Sequence, residues 1–390
     1  MEILILRPQD ISYGIMDAYA ENFGKYLVDA GIEVKYFDIK KEHPKQLAQY
    51  LQKSYMAVID VYSGLLSVKI GDEGEYFWNY VNAPIYQVCV DFPIYIMDKM
   101  EAKLHNYYAL CLDRYYCDVI KDYMSNIKDA YFFPPVGIEG NRKISWEERK
   151  REVVFIGTYS NYREWLLELE QQEAGIKKIG YLYFKTMCEH TELNQLQAFE
   201  MTLNKMDIQL EKEEFYQWFR MIDGIALAAV AFQRERLIEV LLQGGITVEV
   251  FGDSWKHSPF VDNRNLIIHE QIREQDYVSI LEDTKISLNI MYCNKAGYSE
   301  RYSYSMLNGA ICLSDTAEYL EEEFKDGTEI VFYKLGELEK LPQIVRGILD
   351  NPQKACAISA AAYEKAQKRH CWKARVKQFL EILNSDVKKY

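Results

Sequence analysis

The chain has 390 residues, enough for two or three domains, and 49% of them are hydrophobic, enough to bury sizeable cores. Its net charge is −13, spread as −5 over residues 1–150 and −8 over 151–390, and it carries no basic tract of the kind that tracks a phosphate backbone, which excludes nucleic acid as a partner. The eight cysteines form no Cys-x-x-Cys pair and no Cys/His cluster, so they read as reduced thiols in a cytoplasmic protein, and no apolar run approaches the roughly 18 residues that a membrane-spanning helix needs.

Residues 3–6 read as a short apolar strand. A loop over 7–14 follows, then a helical pattern over 16–30 that Gly31 ends, then a strand at 33–39. Strand, helix, strand opens a parallel βαβ unit with a right-handed crossover. The alternation continues: helical patterns at 44–53, 73–80, 94–104 and 114–125 separate strands at 57–61, 85–90, 108–112 and 130–133. Each apolar run is short and continuous, as expected of strands covered on both faces. Pro134-Pro135 stops the pattern, and a polar, charged stretch reads as a linker. A second series starts with the strand 153–157, passes through a long helical region that includes 195–244, and resumes with strands at 247–251, 266–269, 286–290, 310–314 and 329–332. Helical stretches at 338–349 and 352–384 close the chain. The fold class is therefore α/β, with two Rossmann-like doubly wound lobes. The expected domains are 1–140, a linker at 141–152, and 153–370 with a helical insertion at about 165–245. Residues 371–390 form the last helical end.

In open α/β sheets, ligands bind at the carboxyl ends of strands. Three loops there carry candidate residues. After the strand 153–157 come Gly157, Thr158, Tyr159, Ser160 and Asn161, small and hydroxyl-bearing residues that let backbone approach a phosphate. After the strand 247–251 come Gly252, Asp253, Ser254 and Trp255, where Trp255 either lines a pocket or packs on the lobe. After the strand 286–290, Ser299 is a good N-cap residue for a helix that begins Glu300-Arg301. The free amides of such a helix start suit a diphosphate. Arg301 opposes the helix dipole, which a nearby anion would explain; a solvated arginine paired with Glu300 is the plainer reading of those two residues alone. His269 ends a strand and either faces the pocket or is a satisfied structural histidine.

The run from Asn289 to Tyr333 resembles the donor-binding half of GT-B glycosyltransferases, in particular the CgeB-like (spore-maturation-protein-like) group-1 branch. The resemblance is carried by Asn289, Glu300-Arg301, Met306-Leu307-Asn308-Gly309-Ala310, Leu313-Ser314-Asp315, Tyr319-Leu320 and the stretch Phe324 to Tyr333. Looser similarity covers Val90-Asp91-Phe92-Pro93, Cys111-Leu112-Asp113-Arg114 and Phe133-Pro134-Pro135. It implies a nucleotide sugar, with UDP the default, held on the second lobe by residues that include Asn289, Tyr304 and Asn308. It also implies an acceptor (a glycan, a protein or a small molecule) held mainly on the first lobe, and a last helix crossing back to that lobe. The sequence departs from the pattern at Tyr304, where many GT-B enzymes place a glutamate on the nucleotide ribose, and at Glu270, where a glycine is common.

The implied activity is glycosyl transfer without a metal cofactor. No Asp-x-Asp triplet occurs, the six histidines are scattered, and basic side chains with helix-start amides supply the charge for a leaving diphosphate. An inverting reaction also needs a base for the acceptor hydroxyl. Asp10, Asp17 and Asp91 are the candidates, and Asp91 is preferred because it ends a buried strand beside a proline turn; capping that turn is its structural alternative. Two other functions stay open at this point. One is a GT-B-fold nucleotide-sugar epimerase. The other is a catalytically silent GT-B-like subunit that partners another glycosyltransferase, with homo-oligomerisation as the further mode of association.

Overall fold

The computed structural model describes residues 2–9 and 14–387, so Asp10 lies outside the described residues. The chain divides into two compact units. One comprises Met1–Ile138, Arg273–Gln275 and Gln367–Tyr390, the other Glu139–Ile272 and Asp276–Ala366.

In unit 1, β1 (Glu2–Leu6), α1 (Ile15–Asp29) and β2 (Glu33–Phe37) form the expected βαβ start, followed by β3 (Ala57–Asp60). A two-stranded antiparallel ribbon, β4 (Lys69–Ile70) and β5 (Glu75–Tyr76), precedes β6 (Ile85–Cys89), β7 (Tyr107–Cys111), α2 (Arg114–Tyr123) and β8 (Asp129–Phe132). The main sheet is parallel, in the order β2-β1-β3-β6-β7-β8. Three helical expectations fail here. The chain turns between Gly71 and Gly74, both at positive φ, to make the ribbon, so of residues 73–80 only Phe77–Tyr80 coils, as a 3-10 turn. Residues 94–104 contain one 3-10 turn, Met97–Lys99, because Ile94, Ile96, Met100, Ala102 and Leu104 are buried at spacings that no single helix face provides. Residues 44–53 form a 3-10 helix, Pro44–Tyr50, not an α-helix.

The C-terminal helix, Trp372–Val387, belongs to unit 1. Trp372 packs edge-on to Tyr19 at 5.0 Å and Phe379 edge-on to Phe23 at 5.1 Å. Near its end, the Asp386 carboxylate accepts hydrogen bonds from the hydroxyls of Tyr86, at 2.9 Å, and Tyr131. These bonds satisfy a buried acid that would otherwise oppose folding.

Asp60 ends β3 in full burial. Its Oδ1 accepts from the Ser63 hydroxyl and amide, while Oδ2 has no hydrogen-bond partner. Burial raises the carboxyl to about 6, and the polar groups of Ser63 and Gln87 offset this only in part. The folded state therefore binds this proton more tightly than the unfolded chain does, so stability falls as pH rises from about 4 through 6. Asp60→Asn is expected to stabilise the protein at pH 8 by up to about 3 kcal/mol, and to be neutral near pH 4. Calorimetric melting at the two pH values checks this; equal shifts at both would refute it.

Unit 2 begins with β9 (Arg151–Ile156) and then inserts α3 (Tyr162–Leu169), α4 (Ala174–Glu189), α5 (Gln195–Asn204), α6 (Lys212–Met221) and α7 (Asp223–Gln243). The helical run read at 195–244 is thus three helices, broken at Asp207, with φ 54°, and at Ile222, with φ −127°. There follow β10 (Val248–Phe251), β11 (Leu266–His269), α8 (Glu274–Glu282), β12 (Thr284–Leu288), α9 (Glu300–Leu307), β13 (Ile311–Asp315), α10 (Glu318–Glu323), β14 (Val331–Tyr333), α11 (Leu341–Leu349) and α12 (Pro352–Arg369). The sheet is parallel, in the order β11-β10-β9-β12-β13-β14. After β9 the chain builds outward to β11, then returns to the other side of β9 with β12. Strand order reverses there, and this is where doubly wound sheets open a crevice at their carboxyl ends. Among the described residues, no helix is long and apolar enough to cross a membrane.

Candidate functional site

The reversal brings the loop after β9 next to the loop after β12. Gly157 continues β9, its amide donating to the Phe251 carbonyl at 3.2 Å. Its carbonyl accepts from the Trp255 indole at 2.8 Å. Trp255 is fully buried, between Phe155 at 6.0 Å and Tyr159 at 5.3 Å. It therefore braces the loop from within and offers no face to a ligand, which corrects its reading as a pocket wall. Gly252 must be glycine for a related reason: a Cβ there would lie 2.8 Å from the Gly157 carbonyl oxygen, in contact with backbone that cannot swing aside.

Two arginines meet this loop. Arg234, on α7, donates from Nη1 to the Thr158 carbonyl at 2.8 Å, and its guanidinium lies 5.7 Å from the centre of the Phe155 ring. Its Nε is buried without a partner. Arg301, in the first turn of α9, comes from the other side, with Nη1 3.8 Å from where a Cβ on Gly157 would sit. Burial pulls the Arg234 guanidinium down to about 10, and the Arg301 charge pushes the same way. Among the described residues, neither arginine forms an ion pair with a carboxylate. Glu300 is not the partner of Arg301 that the plainer reading expected. Two like charges held together without a counter-ion are costly, so the pocket favours an anion.

The other expected residues divide. Thr158 meets Arg234 through its carbonyl. Tyr159 is buried and holds the loop in place: its amide donates to Ser254 Oγ at 2.8 Å and its hydroxyl to Glu235 at 2.9 Å, a carboxylate that Arg163 also grips. Asn161 caps α3 through the Arg163 amide at 3.3 Å. Ser299 occupies the N-cap position of α9 but makes no side-chain cap bond, which leaves the first amides of that helix uncapped by it.

Four residues do not face the pocket. His269 stacks on Phe251 at 4.3 Å and bonds Glu249 at 2.8 Å, turned onto the sheet face and not toward the strand end. The Asn289 amide is buried, donating to the Ser287 carbonyl at 3.0 Å. Tyr304 is buried against Tyr277, with rings 5.0 Å apart. Asn308 lies at the far end of α9, about 12 Å of helix rise from its start, where its oxygen accepts from the Gly140 amide at 2.8 Å. Tyr304 shares a helix face with Arg301, one turn back, but its ring is covered by Tyr277; Asn308 is set apart by the length of the helix.

Sequence reading missed Arg234. A signal existed, since it falls on the stripe Ala231, Leu237, Ile238 and Leu241 of α7, all buried, where a charge is out of place. In unit 1, Asp91 is exposed after β6, and its amide donates to the Tyr62 hydroxyl at 3.1 Å. Asp17 is held by Arg7 at 3.0 Å and by Lys40. Among the described residues, no group of three or more His, Cys, Asp or Glu side chains is placed to hold a metal ion.

No curated protein matches the chain. Residues 233–381, which include Arg234 and Arg301, match the family model described as glycosyl transferase-like. Among solved structures, the Anabaena protein Alr3699/HepE, crystallised with UDP-glucose, has 11% identity and a TM-score of 0.55 over 99% of this chain and 100% of that one. The T4 phage β-glucosyltransferase with its UDP-glucose substrate has 12% identity and a TM-score of 0.56 over 98% and 99% of the two chains. Sucrose-phosphate synthase from Thermosynechococcus elongatus has 9% identity and a TM-score of 0.56, with 100% of both chains covered. Likeness at this identity concerns architecture: the chain has the two-lobed, parallel α/β fold of the GT-B glycosyltransferases.

Proposed function

We propose that the protein is a glycosyltransferase of the CgeB-like branch that takes its sugar from a UDP-linked donor and transfers it to a glycan, a protein or a small molecule. The observation that carries this reading is the pair Arg234 and Arg301, two guanidiniums without carboxylate partners at the carboxyl end of β9. Glycosyl transfer must stabilise a departing diphosphate. Two fixed cations and the first amides of α9 match that charge, and donors of this kind contribute about 3–4 kcal/mol each to lowering the barrier. The likeness to Anabaena HepE and the T4 enzyme, both crystallised with UDP-glucose, supports uridine as the base. With the charge supplied by side chains, the reaction is proposed to need no metal. Asp91 is the proposed base for the acceptor hydroxyl, being exposed beside a proline turn and therefore reachable by an acceptor.

A thermal-shift comparison tests the reading. UDP at 100 times its Kd is expected to stabilise the protein by about 2.7 kcal/mol, uridine by far less, and EDTA to leave the UDP shift unchanged. A panel of nucleoside diphosphates that leaves the melting temperature where it was would remove the donor site.

A further inference from the structure

Lys295 lies in the loop between β12 and α9, the same loop that delivers Arg301. It is 3% exposed, yet its ammonium has no hydrogen-bond partner and, among the described residues, no ion pair. Its backbone is fixed, since the carbonyl accepts from the Tyr319 amide at 3.0 Å. Its Nζ lies 5.6 Å from the centre of the Tyr292 ring, which offers a partial attraction but no hydrogen-bond acceptor of full strength.

Asp315 is near enough for the two charges to feel one another, but it is not a counter-ion in contact. Its carboxylate already accepts from the amides of Met291, at 2.6 Å, and Tyr292, at 3.0 Å, and from the Ser314 hydroxyl at 3.3 Å. Burial also raises this carboxyl, which weakens it as an anion. A buried ammonium with three unused donors is costly unless something binds it.

Position then narrows what binds. The two arginines address the end of β9. The Lys295 loop is pinned to the end of β13 through Asp315 and to α10 through Tyr319, two strands from β9 at about 4.8 Å per strand. It therefore addresses a part of the donor beyond the diphosphate. A nucleoside carries no anion, so an anion in that place must be on the sugar.

We propose that Lys295 binds an acidic group on the transferred sugar, making the donor a nucleotide-linked acidic sugar such as a uronate; this rests on the donor reading of the β9 loop. The ammonium meets a carboxylate in a buried site, where a charge-assisted hydrogen bond is strong.

Calorimetric titration of the full chain with UDP, UDP-glucose and UDP-glucuronate decides it. UDP-glucuronate is expected to bind about tenfold or more tighter than UDP-glucose. Lys295→Met, which keeps the volume and removes the charge, is expected to bring the two sugars within about twofold while leaving UDP affinity unchanged. Equal affinity of the wild type for both sugars, or a preference that survives in Lys295→Met, overturns the acidic-sugar assignment while UDP binding still upholds the diphosphate site. If UDP itself does not bind, both readings fall. Should Lys295→Met not fold, the wild-type comparison of the two sugars decides alone.

Discussion

Arg234→Met is expected to weaken UDP binding about 10- to 100-fold while leaving the melting temperature no lower than that of the wild type. The first effect follows from losing one of two cations at the carboxyl end of β9, where a charge-assisted bond to phosphate contributes about 1.5–3 kcal/mol. The second follows from linkage. The folded state holds the Arg234 proton less tightly than the unfolded chain does, burial drawing its guanidinium below the ordinary arginine value to about 10. Below pH 10 the charge is present and opposes folding, so the full cost applies at neutral pH. Methionine removes that cost but gives up the bond to the Thr158 carbonyl, so the two changes offset. A residue that served stability alone would show the reverse pattern, a lower melting temperature with affinity intact. Calorimetry on one sample measures both quantities. Unchanged UDP affinity would take Arg234 out of the site, and Arg301→Ala provides the parallel test on α9.

Phe379→Ala is expected to cost about 3–5 kcal/mol of stability, the range for emptying a buried aromatic position. Phe379 is fully buried in the C-terminal helix and meets Phe23 at 5.1 Å, Tyr86 at 5.3 Å and Phe133 at 6.2 Å. These partners come from α1, β6 and the segment after β8, so one side chain ties the last helix to three parts of unit 1. The loss belongs to unit 1, whereas the arginine pair belongs to unit 2. Below the melting transition, UDP affinity is therefore expected to stay within about twofold of the wild type, because sites that share no partners act independently. Scanning calorimetry and a UDP titration check the two halves of this expectation, and a melting temperature like that of the wild type would contradict the packing account.

Much of the architecture is written in local pattern. Short continuous apolar runs such as Ile3–Leu6 and Val153–Ile156, separated by helical periods, require parallel strands covered on both faces, and the structure has two such sheets. Where local pattern misled, at 73–80 and 94–104, glycines and irregular apolar spacing overrode a helical count. Arg301 stood out in the sequence because an arginine in the first turn of a helix contradicts the dipole, and the structure places it beside Gly157.

The site as a whole was not legible, because strand order is a property of the sheet and not of any segment. Only with β9 seated between β10 and β12 does Arg234 reach the Thr158 carbonyl across 76 residues, and only then does the loop bearing Lys295 turn over β13. Side-chain direction is decided the same way. His269, Asn289, Tyr304 and Asn308 have the residue types a ligand site uses, but neighbouring strands and helices turn each one to a protein partner. The sequence by itself determined which segments become most of the strands and helices, since that depends on periodicity along the chain. The tertiary structure alone decided which charges are left without partners, since that depends on what the folded chain brings near them.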